Sequence, residues 1–583
     1  MDPCFNLIDE KWIRLMRTDG AVDELTLPEA LARAHGYRGL AGETPTQDVA
    51  LLRFLLAVLY AALFGDAPPG TPDEALEAWH DLWRQGRFPA ESIVAYLDRW
   101  RDRFWLFHPE RPFFQVPSGI DGIDMENAAE RAGLDKPGKP AAKGVQKAAK
   151  LNGAISESGN KDNLFNAATG EAKHSLTFPE AARWLIYIMG YDDGGIKPYY
   201  PKNSPMNRTD DVAKCSLAWL GSISPVCAEG DTLFETLMLN LVLLRDGEVS
   251  EEALWSGFHP SWESEALHDV ERHGVQPPDA PATLCSFPSR RIMLIRRDDR
   301  VIGFIRYVGE AFSRDAAQAE QWTLWTIPKA KKGEVSRPVP RSSKFRLPAQ
   351  IWREMGALLM VHDDGSTCLP GVVRWVSRLS VPKHSPLHSA LLRFRCVKAL
   401  YDVAQSSNMT EIQDDSLTFS VDLLTEAGKP WLKLLGTELE RCDRAAWQLG
   451  LLAEQLMGAE GGKVYEGEKK RTGAAEARRN EAQERFYYEL DLPFRAWLQS
   501  LRAEDDSELR RDRVDALRKV VRDTALRCGH ELLDKVSPSA YARRMKGEGE
   551  AHITAPEAWL IFRRTINKLT IMENEGIKEA KGT

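Results

Sequence analysis

The feature that most constrains this chain is a change of character at Gly428. Beyond it lie four stretches, Lys429–Gly458, Ala474–Ala503, Asp506–Asp534 and Ala555–Met572, in which apolar residues return at helical spacing between charged intervals. Four amphipathic helices joined by loops bury their apolar stripes by packing together, so residues 429–583 are expected to form a four-helix bundle. Before Gly428 the pattern is mixed. Short strand-like pieces ("NLIDEKWIRLM", "DELTL") alternate with helical ones, and "TLPEALARAH" opens with Thr26 as N-cap and Pro28 in the first turn. The expected fold class is α+β: a large irregular mixed domain over 1–428, followed by the bundle.

Within the first part, Thr46 to about Arg103 reads as a helical subdomain. Its greasiest run, Val49–Gly65, is shorter than a bilayer needs and contains Arg53, so it reads as a buried helix. In "SLTFPEAARWLIYIMGYDDGGIKP", Phe178, Ala181, Ala182, Leu185, Ile186 and Met189 form one helical face, which "DDGG" ends. "SRRIMLIRRDDRVIGFIRYVG" reads as two strands around the turn Arg297-Asp298-Asp299-Arg300. The stretch "ALLRFRCVKALYDV" is open between helix and strand; a hairpin with its tip at Gln405 to Met409 is the preferred reading.

Chemistry-bearing motifs are scarce. The eight cysteines lie far apart with no C-x-x-C pair, so reduced, mostly buried thiols are expected and no zinc site is read. The twelve histidines are scattered, and His108 and His259 precede prolines, as turn residues do. "GAEGGKV" lacks the spacing of a phosphate loop and follows a helix, which makes it a helix-ending glycine cluster. Six Asp-Asp pairs, among them Asp192-Asp193, Asp298-Asp299 and Asp414-Asp415, would suit two-metal hydrolysis, but turn-forming carboxylates are the plainer reading. Most of the seventeen tryptophans are core candidates, Trp12, Trp79, Trp83, Trp184 and Trp219 falling on apolar faces.

A net charge of -8 argues against indiscriminate coating of nucleic acid, which needs many cations acting together, so any such contact is local. Two basic segments, Arg131–Lys150 and Lys329–Arg346, contain Pro and Gly and each reads alone as a solvated loop. The start, "MDPCFNLIDEKW", has none of the marks of a secretory signal, so a cytoplasmic chain is expected.

One loop stands apart. "SESGNKDNLFNAATGEAKHS", Ser156 to Ser175, is polar and rich in small residues around Phe165. With "FNLIDEKWIRL", "HPERPFFQV", "KLNGAISESGNKDNLFN", "SLTFPEAARWLIY", "SLAWLGS", "GDTLFETLMLNLVLL", "SRRIMLI", "WTLW" and "IWREMGALL", in that order, it makes the chain resemble the CasA family, the large subunit of the type I-E CRISPR surveillance complex Cascade. The similarity is spread over most of the chain and rests on the ensemble of motifs.

The resemblance implies a protein that catalyses no reaction. It would recognise the protospacer-adjacent motif (PAM) of double-stranded target DNA through the minor groove, help open the duplex for the guide RNA, and present a surface to a helicase-nuclease. Its partners would be the other Cascade subunits, the guide RNA and the target DNA, with no membrane, metal or cofactor. Residue by residue, Phe165 and Asn166 match the PAM-proximal loop, with Lys173 at its end. Gly194 and Gly195 match the glycine loop at the minor groove, where a missing side chain lets backbone amides approach closely. Arg297 and Arg300 are the candidates for a basic finger. Asn408 and Met409 match a wedge between base pairs, Met409 standing where the family pattern has Gln. A metal-dependent nuclease built on the Asp pairs, or a purely structural ribonucleoprotein scaffold, are the rival readings.

Overall fold

A computed structural model describes residues 2–117, 145–155, 171–199, 212–246, 252–264, 273–275, 280–312, 318–326, 339–340, 350–359, 369–381, 385–402, 409–466, 470–543 and 553–570. The fold is α+β and divides by packing into two compact units. The first comprises Met1–Leu347, Thr367–Leu379 and Leu392–Ser416; the second comprises Pro348–Ser366, Ser380–Leu391 and Leu417–Thr583. The expected division at 428/429 is a single cut, whereas by packing the second unit also takes in segments that precede it.

The first unit begins with an antiparallel sheet of β1 (Ile13–Arg17), β2 (Val22–Leu25) and β3 (Tyr37–Leu40), with β1 central. Thr26 caps the following short helix, sharing a reciprocal pair of bonds with Glu29. Helix α1 (Pro45–Phe64) starts at Thr44, whose hydroxyl accepts from the Gln47 amide. It is long and apolar enough to cross a membrane, but 83% of its most apolar window is buried inside the protein. A helix apolar all round is a core helix. Its one arginine is neutralised in place: Arg53 donates to both Glu320 oxygens at 2.7 and 3.1 Å and to the Leu284 carbonyl at 3.0 Å.

The strands β4 (Val145–Lys147) and β5 (Leu176–Thr177) precede helix α2 (Phe178–Tyr191), where Thr177 and Glu180 form a capping box. The sequence pattern suggests one apolar face on α2, yet every residue from Ala181 to Tyr191 is buried. The helix packs along α1 on one side and on strands on others, and Arg183 within it is matched by Glu24 and Glu43, both at 2.6 Å. After α2 the chain forms the pair β6 (Gly195–Pro198) and β7 (Val212–Cys215), then β8 (Val226–Glu229) and helix α3 (Leu233–Asn240).

The expected hairpin is present as β9 (Arg290–Arg297) and β10 (Arg300–Val308), with Asp298 at φ +53° in its turn. Strand β4 pairs with the middle of β10, and β5 pairs with its start. Val116, Val145, Met293, Ile295, Ile305 and Tyr307 form the core beneath this sheet. A second hairpin, β11 (Leu391–Tyr401) and β12 (Met409–Ser420), continues from β8 in the order β8-β11-β12. Met409 is thus the first residue of a strand, and Asp414-Asp415 lie within that strand, outside any turn.

In the second unit the four expected stretches are helices α4 (Lys429–Ala459), α5 (Gly473–Ser500), α6 (Ser507–Asp534) and α7 (Ala555–Thr570), packed on one another as a bundle. Trp431, Leu449, Phe486, Phe494, Leu517 and Phe562 fill its interior. The glycine cluster after α4 ends it as expected: Gly461 takes φ +90° and the Gly462 amide bonds back to the Met457 carbonyl at 2.9 Å. Trp352 joins this unit by stacking on Phe494, ring centroids 4.2 Å apart, and donating to Asp491 at 2.8 Å.

Candidate nucleic-acid interface

Helix α2 organises the candidate residues, which gather at its two ends. At its start, Lys173 lies half-buried in the short helix Glu171–His174, and β5 follows. Arg300, opposite Thr177 in the ladder, donates from Nε to the Ser175 hydroxyl at 2.9 Å and from Nη2 to the Ser175 carbonyl at 3.3 Å. Arg297 is paired with Arg300 across the turn and is exposed. Lys173, Arg297 and Arg300 are therefore neighbours, with Arg300 fastening the hairpin to the strand before α2. The same turn exposes Asp298 and Asp299, so this basic corner carries opposing charge at its tip.

At the other end of α2 the chain turns through Gly194 and Gly195. Gly194 is buried; Gly195 takes φ +114°, a conformation that L side chains rarely adopt, and among the described residues no atom lies within 4 Å of where a Cβ would stand. Glycine is therefore required at 195 by backbone conformation, and no described side chain stands over the position its Cβ would take. Ile196, the next residue, is 73% exposed.

What holds the turn is a buried ionic cluster that the sequence reading missed. Asp192 accepts from Arg290 Nε and Arg306 Nη1 and lies 3.2 Å from Lys197 Nζ. Asp193 meets Arg306 at 2.7 Å and Lys150 at 2.8 Å, while its carbonyl takes the Lys197 ammonium at 2.7 Å. Burial alone would push the Asp192 carboxyl up; Arg306, Lys197 and Arg290 reverse this and hold it well below the usual carboxylate range. Burial lowers the Lys197 ammonium, against the pull of Asp192. These aspartates end the helix, as the turn reading expects, and are in addition the anions on which four cations converge.

The second hairpin is fastened to the same end of α2. The Tyr401 hydroxyl donates to the Tyr191 carbonyl at 2.6 Å, and the Tyr187 hydroxyl lies 3.9 Å from the Met409 sulfur. Tyr187 and Tyr191 stack with centroids 5.4 Å apart. The ends of the hairpin strands thus sit on the helix turn that leads into Gly194 and Gly195. Phe165, Asn166 and Asn408 lie outside the described residues.

The remaining candidates have structural partners. Trp12, Trp79 and Trp184 are fully buried, while Trp83 and Trp219 are half-buried. His108 accepts from the Glu110 and Arg111 amides, as a turn residue does. Asp414 is bound at both oxygens by Arg395, and Asp506 caps α6 by accepting from the Leu509 amide. Among the described residues no group of three or more His, Cys, Asp or Glu converges as a metal site would require.

Comparison with known proteins adds four findings. The family model described as CRISPR-associated protein Cse1 matches residues 6–528. A Thermus thermophilus protein named CRISPR-associated protein CasA/Cse1 is 32% identical over 366 residues, a match spanning 61% of this chain and 60% of that relative. The crystal structure of Thermobifida fusca Cse1 is similar with a TM-score of 0.75 at 27% identity, covering 97% of this chain and 98% of that one. A chain of a CRISPR RNA-guided surveillance complex shares the fold, with a TM-score of 0.64 at 17% identity over 97% of this chain and all of that one.

Proposed function

The chain belongs to the CRISPR-associated Cse1 family, and on that premise we propose that it is the non-catalytic large subunit of a type I-E Cascade complex. In that role it reads the PAM of double-stranded DNA, nucleates duplex opening for the guide RNA and offers a docking surface to a helicase-nuclease. The observation that carries this reading is the convergence at the end of α2: an open glycine turn, locked from beneath by ion pairs, beside the root of a hairpin.

A side-chain-free turn suits a groove, because backbone amides reach base edges or phosphates that a Cβ would keep away. Minor-groove edges distinguish A·T from G·C better than they distinguish orientation, so the reader is tolerant and accepts several related motifs. The 14 residues of α2 set about 21 Å between its two ends at about 1.5 Å per residue. That span matches roughly six base-pair steps at about 3.4 Å each, so Lys173 and Arg297 bind backbone phosphates while Gly194 and Gly195 lie at the PAM.

Opening one step costs a few kcal/mol, and growth of the RNA–DNA hybrid is nearly balanced thereafter, so a wedge seated only when the PAM is bound supplies the nucleation. Asn408 and Met409 act at this wedge, with Ile196 as a second apolar group next to the glycine turn. Phe165 and Asn166 are further contacts of this chain to the PAM-proximal duplex. The test is the double variant Asn408→Ala, Met409→Ala in the assembled particle. PAM-duplex affinity stays nearly intact and R-loop formation slows; unchanged kinetics on linear DNA would reject the wedge.

A further inference from the structure

A cavity of about 540 Å³ opens in the first unit between β3, α1, β8 and β11, and none of the interface residues above lines it. Small-molecule sites occupy about 300–1,000 Å³, and they combine apolar walls with a few placed polar groups. Here Leu40, Val49, Leu52 and Leu233 supply aliphatic wall. Arg395 is a fixed part of the lining, gripped by Asp414 at 2.7 and 2.6 Å and by Glu229 at 3.2 Å.

Three other charged groups retain bonding capacity. The Asp48 carboxyl accepts the Gly42 amide at 2.7 Å. Burial pushes that carboxyl up to about 6, with the Gly42 amide and Arg395 opposing the rise. Arg38 is exposed and has no polar partner among the described residues. Arg393 is 53% exposed and reaches Glu229 only at 3.8 Å. The cavity therefore offers two guanidinium groups on its solvent side, an aliphatic slot, and an acceptor on its buried side.

We propose that this cavity binds a nucleoside 5′-phosphate, with the phosphate on Arg38 and Arg393, the base between the aliphatic walls, and an exocyclic amine donated to Asp48. Guanidinium forks match phosphate oxygens, and a carboxylate accepts from an amino group but repels a carbonyl edge. Cytosine, adenine and guanine present such an amine; uracil and thymine do not. The source is either a free nucleotide or an unpaired residue of a nucleic-acid strand.

The test titrates the full-length chain with CMP, UMP and inorganic phosphate by calorimetry, and with a short 5′-phosphorylated oligo-dC as competitor. CMP binds saturably and about tenfold tighter than UMP, and both bind tighter than inorganic phosphate. Asp48→Asn, which keeps an acceptor for the Gly42 amide, abolishes or inverts the CMP preference. Arg38→Glu and Arg393→Glu each weaken both nucleotides about tenfold, with circular dichroism melting as the check on folding. Competition by the oligonucleotide marks a strand as the source; CMP binding without that competition marks free nucleotide. CMP and UMP binding no tighter than phosphate, an unaffected Arg38→Glu, or displacement only by an acidic peptide would each overturn the proposal. None of these variants alters PAM discrimination by the particle, so this site and the proposed interface stand or fall separately.

Discussion

Substituting Asp192 by Asn tests whether the ionic cluster holds the glycine turn. The side chain of Asp192 is 2% exposed, and its two oxygens face Arg306, Arg290 and Lys197. Asparagine keeps the shape but replaces one oxygen with a donor that faces these cations, and solvent has no access to compensate. Removing one partner from a buried, compensated set costs about 3–5 kcal/mol, because the opposite charges stay buried. Against a typical domain stability of about 5–15 kcal/mol this is a large loss. A chain of two units does not unfold in one step, so native-state hydrogen exchange at the Ile196 and Lys197 amides is the suitable assay. Protection there should fall by about two to three and a half powers of ten, at about 1.4 kcal/mol for each. Arg306→Met in the same chain should recover part of the loss, since it removes one of the uncompensated cations. The wild-type contribution also has a defined acid limit. The Asp192 carboxyl is depressed in the folded state, so its stabilisation is whole above the unfolded value of about 3.9 and disappears only as pH falls through the lower folded value. Exchange rates in Asp192→Asn within about 1 kcal/mol of wild type would refute the cluster's role.

Gly195→Ala should cost about 1–3 kcal/mol from backbone strain alone, since no described neighbour obstructs a Cβ, and should lower PAM discrimination in a chain that still folds. Chemical denaturation and filter binding check the two parts. Lys173→Ala and Arg297→Ala should each make the salt dependence of DNA binding shallower by about one phosphate contact; an unaltered slope removes the residue from the footprint. In the bundle, Glu438 is 1% exposed and held by Arg441 at 2.9 Å and Arg518 at 2.7 Å. Glu438→Gln should destabilise the second unit by about 3–5 kcal/mol, seen as faster exchange in α4 and α6 with none in α2.

The bundle helices were legible because a period of 3.6 residues persists over segments too long to be anything else. The hairpin of β9 and β10 was legible from its turn, but its register was not. Counting back from Arg297 and Arg300 puts Arg291 opposite Arg306; the bulge beyond Ile295 instead puts Ile292 there, which brings Arg290 to the same face as Arg306. A slip of one residue exchanges the faces of a strand, so the cation set around Asp192 cannot be read without the bulge. Lys150 approaches that cluster from a segment far away in the chain, and no spacing rule connects it. Asp192-Asp193 was legible as a helix-ending turn because that role is local; its ion pairs with Lys150, Arg290 and Arg306 are not. Met409 was expected at a hairpin tip and begins a strand instead, its sulfur lying 3.9 Å from the Tyr187 hydroxyl. Phe165, Asn166 and Asn408 owe their candidacy to resemblance alone, for a polar loop of small residues has no period to read.

The most direct measurement reconstitutes the RNA-guided particle with this chain and follows R-loop formation on linear duplexes that share one guide-matched site and differ only in the flanking base pairs. If this chain reads the minor groove through its glycine turn, exchanging A·T for T·A in the flank is tolerated, replacing it with G·C slows opening severely, and Gly195→Ala blunts the difference. Equal rates on every flank, with or without the glycine, would contradict it.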